Sequence, residues 1–160
     1  MASTVYHSIV IQAANEFGDI TRREKLAAAA ITPGELLDFD SATTVNAHGV
    51  AGGVLQGKLV ALETQTPDSA TAANIDVDYA SGDTVYFAEG KPGDVFYMWL
   101  AAGQSALMNP PSQLISDGAG ALTVATVDAA TLTNSIVGVA DEVKDNSGGG
   151  TRVRIKVRIV

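Results

Sequence analysis

The residues able to do chemistry are few in kind. The chain of 160 residues has no cysteine and two histidines, His7 and His48, against 18 carboxylates. Without cysteine there is no disulfide, thiolate zinc site, iron–sulfur cluster or thiol nucleophile. Serine is present, but no Gly-x-Ser-x-Gly elbow occurs. His48 lies in the glycine-rich stretch Asn46 to Gly53, where a lone histidine is expected to be solvated. That stretch also lacks the Lys-Ser/Thr of a phosphate loop. The carboxylates cluster as Asp38 with Asp40, Asp76 with Asp78, Glu89 with Asp94, and Asp141 with Glu142 and Asp145. If Ile75–Tyr79 is extended, Asp76 and Asp78 share one face. Such a pair could begin a calcium site or a glycosidase pair, and nothing else in the sequence completes either. The expectation is solvated acids, no metal, no cofactor and no catalytic residue, hence no enzyme.

The cations are more patterned. Arg152, Arg154, Lys156 and Arg158 alternate with Val153, Ile155, Val157 and Ile159. On a strand this puts the apolar set inward and a basic strip about 20 Å long outward. Two readings follow: a solvated face balanced by acids on neighbouring strands, or a contact strip for an acidic protein surface. Arg22 and Arg23 form a second basic spot, opposed by Glu16, Asp19 and Glu24. Nucleic acid is a poor partner, because the net charge is −8 and no aromatic residue interleaves the basic ones for base stacking.

These side chains need a scaffold. The length fits one domain, and a chain of this size buries roughly 70% of its unfolded surface. Hydrophobic content is 46%, too high for disorder, and no apolar run is long enough to cross a bilayer. The first residues show no secretory signal. Turn-forming residues recur every 8–12 positions from Ile31 onward, which predicts an all-β fold, a small β-barrel or β-sandwich. Expected strands are Glu35–Phe39, Val54–Leu62, Ile75–Tyr79, Thr84–Ala88, Val95–Ala101, Gln113–Ile115, Leu122–Val127, Ile136–Ala140 and Arg152–Val160. Thr84–Glu89 and Val95–Ala101 flank Gly90-Lys91-Pro92-Gly93-Asp94 and read as a hairpin. The second of these runs is apolar on both alternate faces, which predicts a cover of core on one side and a neighbouring subunit on the other. Residues 1–30 read as an extended N-terminal arm or variable segment, with a strand-like Tyr6–Gln12 and a short alanine-rich helix at Glu24–Ala30. Residues 31–160 read as the β-rich body.

Several short motifs recur in a fixed order. They are Pro33-Gly34-Glu35-Leu36-Leu37, Val60-Ala61-Leu62-Glu63, Asp78-Tyr79-Ala80-Ser81-Gly82-Asp83-Thr84-Val85 and Lys91-Pro92-Gly93-Asp94-Val95-Phe96. Leu100-Ala101-Ala102-Gly103-Gln104, Leu114 to Leu122 and Ile136-Val137-Gly138-Val139-Ala140 follow, and the basic strand closes the series. This order resembles the capsid cement, or head decoration, proteins of tailed bacteriophages over residues 31–160. The resemblance implies a β-tulip-like domain on the outer surface of the capsid, assembled in the host cytoplasm and bound across neighbouring major capsid proteins. It implies self-association, as a homotrimer or a dimer, with no catalytic residue, membrane or nucleic acid involved. The expected capsid or subunit interface residues are Tyr6, Ile9, Ile11, Phe17, Arg22, Arg23, Arg152, Arg154, Lys156 and Arg158. A carbohydrate-binding β-sandwich on the virion surface and a small trimeric enzyme of the dUTPase type are the competing expectations.

Overall fold

The computed structural model describes residues 8–14, 20–64, 74–126 and 135–160. Its strands are β1 (Val10–Gln12), β2 (Arg22–Ala27), β3 (Leu36–Phe39), β4 (Thr44–Ala47), β5 (Leu59–Ala61), β6 (Thr84–Glu89) and β7 (Val95–Leu100). They continue as β8 (Ser105–Ala106), β9 (Gln113–Ser116), β10 (Leu122–Val124), β11 (Ile136–Ala140), β12 (Lys144–Asp145) and β13 (Val153–Ile159). Among the described residues, one 3-10 turn spans Asn74–Asp76. The all-β expectation holds.

Apart from β8 and β12, which pair with each other, the strands form two closed layers. One is a barrel in the order β2-β4-β3-β5-β6. The other is a six-stranded sheet, β1-β7-β10-β9-β11-β13, whose last strand returns to pair with β7 from Val153↔Leu100 to Arg158↔Val95. Leu37, Val45, Leu59, Ala61, Val85 and Phe87 fill the barrel. Their sequence neighbours Leu36, Val60, Leu62 and Ala88 point the other way and join the core of the sheet, with Phe96, Met98, Leu100, Leu114 and Leu122. Period-2 geometry thus buries both faces of β3, β5 and β6, which is why these strands read as unbroken apolar runs.

Pro33-Gly34 turns the chain where the two layers meet. Gly34 has φ +91°, a region that suits glycine. Its N–H donates to the Ala61 carbonyl of the barrel, and its carbonyl accepts from the Trp99 N–H of the sheet at 3.3 Å. A Cβ at this position would stand 2.9 Å from the Tyr97 carbonyl oxygen.

Several expectations are corrected. Glu24–Ala30 is not helical: Arg22–Ala27 is a strand paired with β6 from Arg22↔Ala88 to Leu26↔Thr84. Its alanine-rich end had weak helix preference, and non-local pairing outweighs a run too short to stand alone. Thr84–Glu89 and Val95–Leu100 do not form a hairpin, because β6 belongs to the barrel and β7 to the sheet. The Pro-Gly turn is real, but it hands the chain across. Gly93 N–H donates to the Ile159 carbonyl, and Ile159 N–H to the Asp94 carbonyl, so β7 starts against β13. Only Leu59–Ala61 of Val54–Leu62 is strand. Ile75–Tyr79 is a 3-10 turn followed by one bridge, Ile31↔Tyr79, so Asp76 and Asp78 do not share a strand face. The strand at Leu122 ends at Val124, and Val127 lies outside the described residues. β4, β8 and β12 were not anticipated. Of residues 1–30, β1 pairs with β7, β2 is a barrel strand, and Ile9 and Ile20 lie in the core.

Candidate interaction surfaces

β13 alternates as its sequence requires. Ile155, Val157 and Ile159 are buried, and the cations take the outer face. That outer face is engaged within the chain. Arg152 pairs with Glu35 and donates to Thr32 Oγ1 at 2.8 Å. Arg154 pairs with Asp76 and donates to the carbonyls of Ile75 and Pro33. Arg158 pairs with Asp141, and the Lys156 N–H donates to Glu142 Oε1. The acids come from loops and turns of the barrel and the sheet.

Trp99, opposite Arg154 on β7, lies beneath this layer. Guanidinium carbons stand 4.6 Å (Arg152) and 4.1 Å (Arg154) from its ring centre, within cation–π range. Its Nε1–H donates to the Pro33 carbonyl at 2.9 Å. On the second face of β7, expected to meet a subunit, the Trp99 ring is therefore covered by the chain's own arginines. Arg154 keeps only 10% of its side chain exposed, against 53% for Arg158.

The remaining expected interface residues scatter. Ile9 is wholly buried, so it has no surface to offer a capsid. Ile11 is half-buried in β1. Arg22 and Arg23 are exposed on β2, and Arg23 pairs with Glu89 at 2.8 Å. Tyr6 and Phe17 lie outside the described residues.

One cluster was missed. His48 is buried, not solvated. Its Nδ1 is 2.7 Å from Ser116 Oγ, and its Nε2 is 3.3 Å from Asp38 Oδ2. Asp38 stands on β3 of the barrel and Ser116 on β9 of the sheet, so the imidazole ties the two layers together. Burial pushes the Asp38 carboxyl above its ordinary range, opposed by the His48 ring and the Gln56 backbone N–H. The order Ser-His-Asp matches that of a hydrolytic triad, but Ser116 has no exposed surface and its Oγ accepts from the Gly118 N–H at 3.1 Å. No substrate reaches that hydroxyl in this conformation, and the cluster acts as a polar rivet. Sequence shows no sign of it, since Asp38, His48 and Ser116 occupy separate segments.

Exposed apolar side chains gather at one tip. The β8–β12 pairing ends at Ala106↔Lys144, and Leu107 and Val143, the next residues, are 51% and 65% exposed. Met108 follows, bridged to Pro111.

The fold has a solved counterpart. Over 89% of this chain and 95% of the other, it is similar to the crystal structure of the N base of head fiber gp8.5 in bacteriophage phi29, with a TM-score of 0.50 and 11% sequence identity. No protein-family model and no curated protein sequence matches the chain. At 11% identity the likeness is one of fold, extending nearly end to end over both chains.

Proposed function

We propose that the protein is a structural component of a phage virion that binds the outer surface of the expanded capsid and bridges neighbouring major capsid proteins. The observation that carries this reading is the fold shared with a phage head fiber base over nearly the whole of both chains. The ordered motifs that resemble capsid cement proteins add independent support. In this role the protein has no catalytic activity of its own, assembles in the host cytoplasm and self-associates, a trimer being the expected form. A ligand that binds only the expanded lattice stabilises it by its binding free energy, and copies that touch one another add avidity.

The contact chemistry differs from the one first expected. With Arg152, Arg154 and Arg158 already paired in-chain, the apolar tip at Leu107, Met108 and Val143 has more to gain from burial. A sugar-binding role lacks support, since the Trp99 ring is already covered by two guanidinium groups.

Co-sedimentation with expanded, undecorated capsids of the same phage tests the proposal. Saturable binding is expected, with a copy number that matches a set of symmetry positions, and Leu107→Ser with Val143→Ser should weaken it. A folded protein that fails to bind would overturn it.

A further inference from the structure

The barrel has an incomplete seam. β2 and β4 close it by parallel pairing at Leu26↔Thr44 and Ala27↔Val45. Against β6, by contrast, β2 pairs from Arg22 to Leu26. Hydrogen bonds from Glu89 N–H to the Thr21 carbonyl and from Ala27 N–H to the Asp83 carbonyl set the parity of that ladder. In an antiparallel pair, alternate residues point their backbone groups at the partner. Thr21, Arg23, Lys25 and Ala27 therefore face β6, while Arg22, Glu24 and Leu26 face the seam. Leu26 finds its partner there, its N–H donating to the Thr43 carbonyl at 3.1 Å. Among the described residues, Arg22 and Glu24 find none, which leaves two N–H and two carbonyl groups on an open half-edge.

The seam also has room. A concavity of about 420 Å³ opens at the seam, lined by Glu24, Lys25 and Leu26 of β2, by Ala42 and Thr43 across the seam, and by Thr84 of β6. The Lys25 ammonium reaches across it to the Ala42 carbonyl. Open edges in natural sheets are usually blocked, and a lysine laid across one is a removable block.

Charge indicates the occupant. Arg22, Arg23 and Lys25 outnumber Glu24 within four residues, in a chain of net charge −8, and with Arg23 paired to Glu89 the cations on offer are Arg22 and Lys25. We infer that the Arg22–Lys25 half of β2 is a strand-addition site for an extended acidic segment of a partner polypeptide. The added strand satisfies the backbone groups of Arg22 and Glu24, displaces Lys25 from Ala42, and sets carboxylates against Arg22 on one face of β2 and against Lys25 on the other. The site belongs to the barrel whether or not the protein sits on a virion.

Hydrogen exchange by NMR tests the site on the full chain. The probe is an eight-residue peptide of Glu-Glu-Thr-Thr repeats at millimolar concentration, which puts carboxylates on both faces of an added strand, with a Lys-for-Glu peptide as control. In the free protein the Arg23 and Lys25 amides should be protected and those of Arg22 and Glu24 open. The acidic peptide should slow Arg22 and Glu24 exchange by about tenfold. Its shift changes should centre on residues 22–26 and 42–43, and added salt should reduce them. Glu24→Pro removes one outward N–H that the barrel does not use, and Arg22→Glu with Lys25→Glu reverses the charge. Each should abolish the response, and the charge reversal serves if the proline variant does not fold. Protection of Arg22 and Glu24 in the free protein, equal binding of the lysine peptide, or undiminished binding by a folded variant would overturn the site.

Discussion

Arg154 holds its guanidinium carbon 4.1 Å from the centre of the Trp99 ring while the same group grips the turn at Asn74–Asp76. One cation thus seals an indole and anchors a loop. Arg154→Gln should lower stability by about 2 kcal/mol, through the lost stacking and carbonyl contacts. Trp99 is the single tryptophan, so its fluorescence reports on this site alone. Emission should move to longer wavelength as the ring is uncovered. Unchanged emission and Tm would show that the arginine does not cover it.

Arg152, just before β13, and Arg158 within it carry the same alternation and should behave differently. Arg152 neutralises Glu35, whose side chain is 7% exposed. Arg152→Gln leaves that carboxylate buried and short of its partner, at a cost of about 3 kcal/mol. Arg158 is half exposed, and Arg158→Gln should change stability by less than about 0.5 kcal/mol. Urea denaturation of the two variants measures the contrast, and equal losses would contradict it.

Tyr79 should make stability fall in alkali. Its hydroxyl donates to the carbonyls of Leu62 and Glu63, and burial pushes its pKa up to about 12. The unfolded tyrosine ionises near 10, so between those values the unfolded state loses a proton that the folded state keeps. Below pH 10 this group has no pH effect. As pH rises toward 12, stability should fall by up to about 3 kcal/mol. Tyr79→Phe should remove that part of the alkaline slope while costing about 1–2 kcal/mol at neutral pH for the one hydroxyl proton shared between the two carbonyls. A slope identical in both proteins would place the titration elsewhere.

Ser116→Ala should cost about 1–3 kcal/mol, because it strands the buried Nδ1 of His48 and frees the Gly118 N–H. The loss should appear as faster exchange of Gly52 and Gly120, whose N–H groups donate to the carbonyls of Ser116 and His48. A variant as stable as the parent would mean that the imidazole does not hold the two layers together.

What was legible in the sequence followed local period. β13 could be read directly, because strict alternation over Val153–Ile159 has one structural meaning. β3, β6 and β7 were legible as apolar runs, and the positive φ at Gly34 followed from Pro-Gly. Illegible features were those fixed by distant partners. Gly90 to Asp94 has hairpin chemistry, yet the sheet that β7 joins is chosen by Ile159. Arg-Arg-Glu-Lys-Leu-Ala carries no strand pattern, and β6 imposes one. The basic face of β13 was visible, but its neutralisation by Glu35, Asp76 and Asp141 was not. The residues of the open seam were in plain view as charges. Their vacant backbone groups depend on a pairing register that composition does not encode.

The order in which strands leave the ribosome differs from the order in which they can pair. β2 to β6 emerge as one run, and its two ends meet where the Glu89 N–H donates to the Thr21 carbonyl. The barrel can therefore close once Glu89 has cleared the tunnel, ahead of the rest of the chain. β1 is made first, yet Val10 must wait for Phe96. A barrel closed in that interval would carry a wet apolar flank of Leu36, Val60, Leu62 and Ala88, the residues that later meet the sheet. Later synthesis then winds the second sheet onto that flank, with the early barrel as its template.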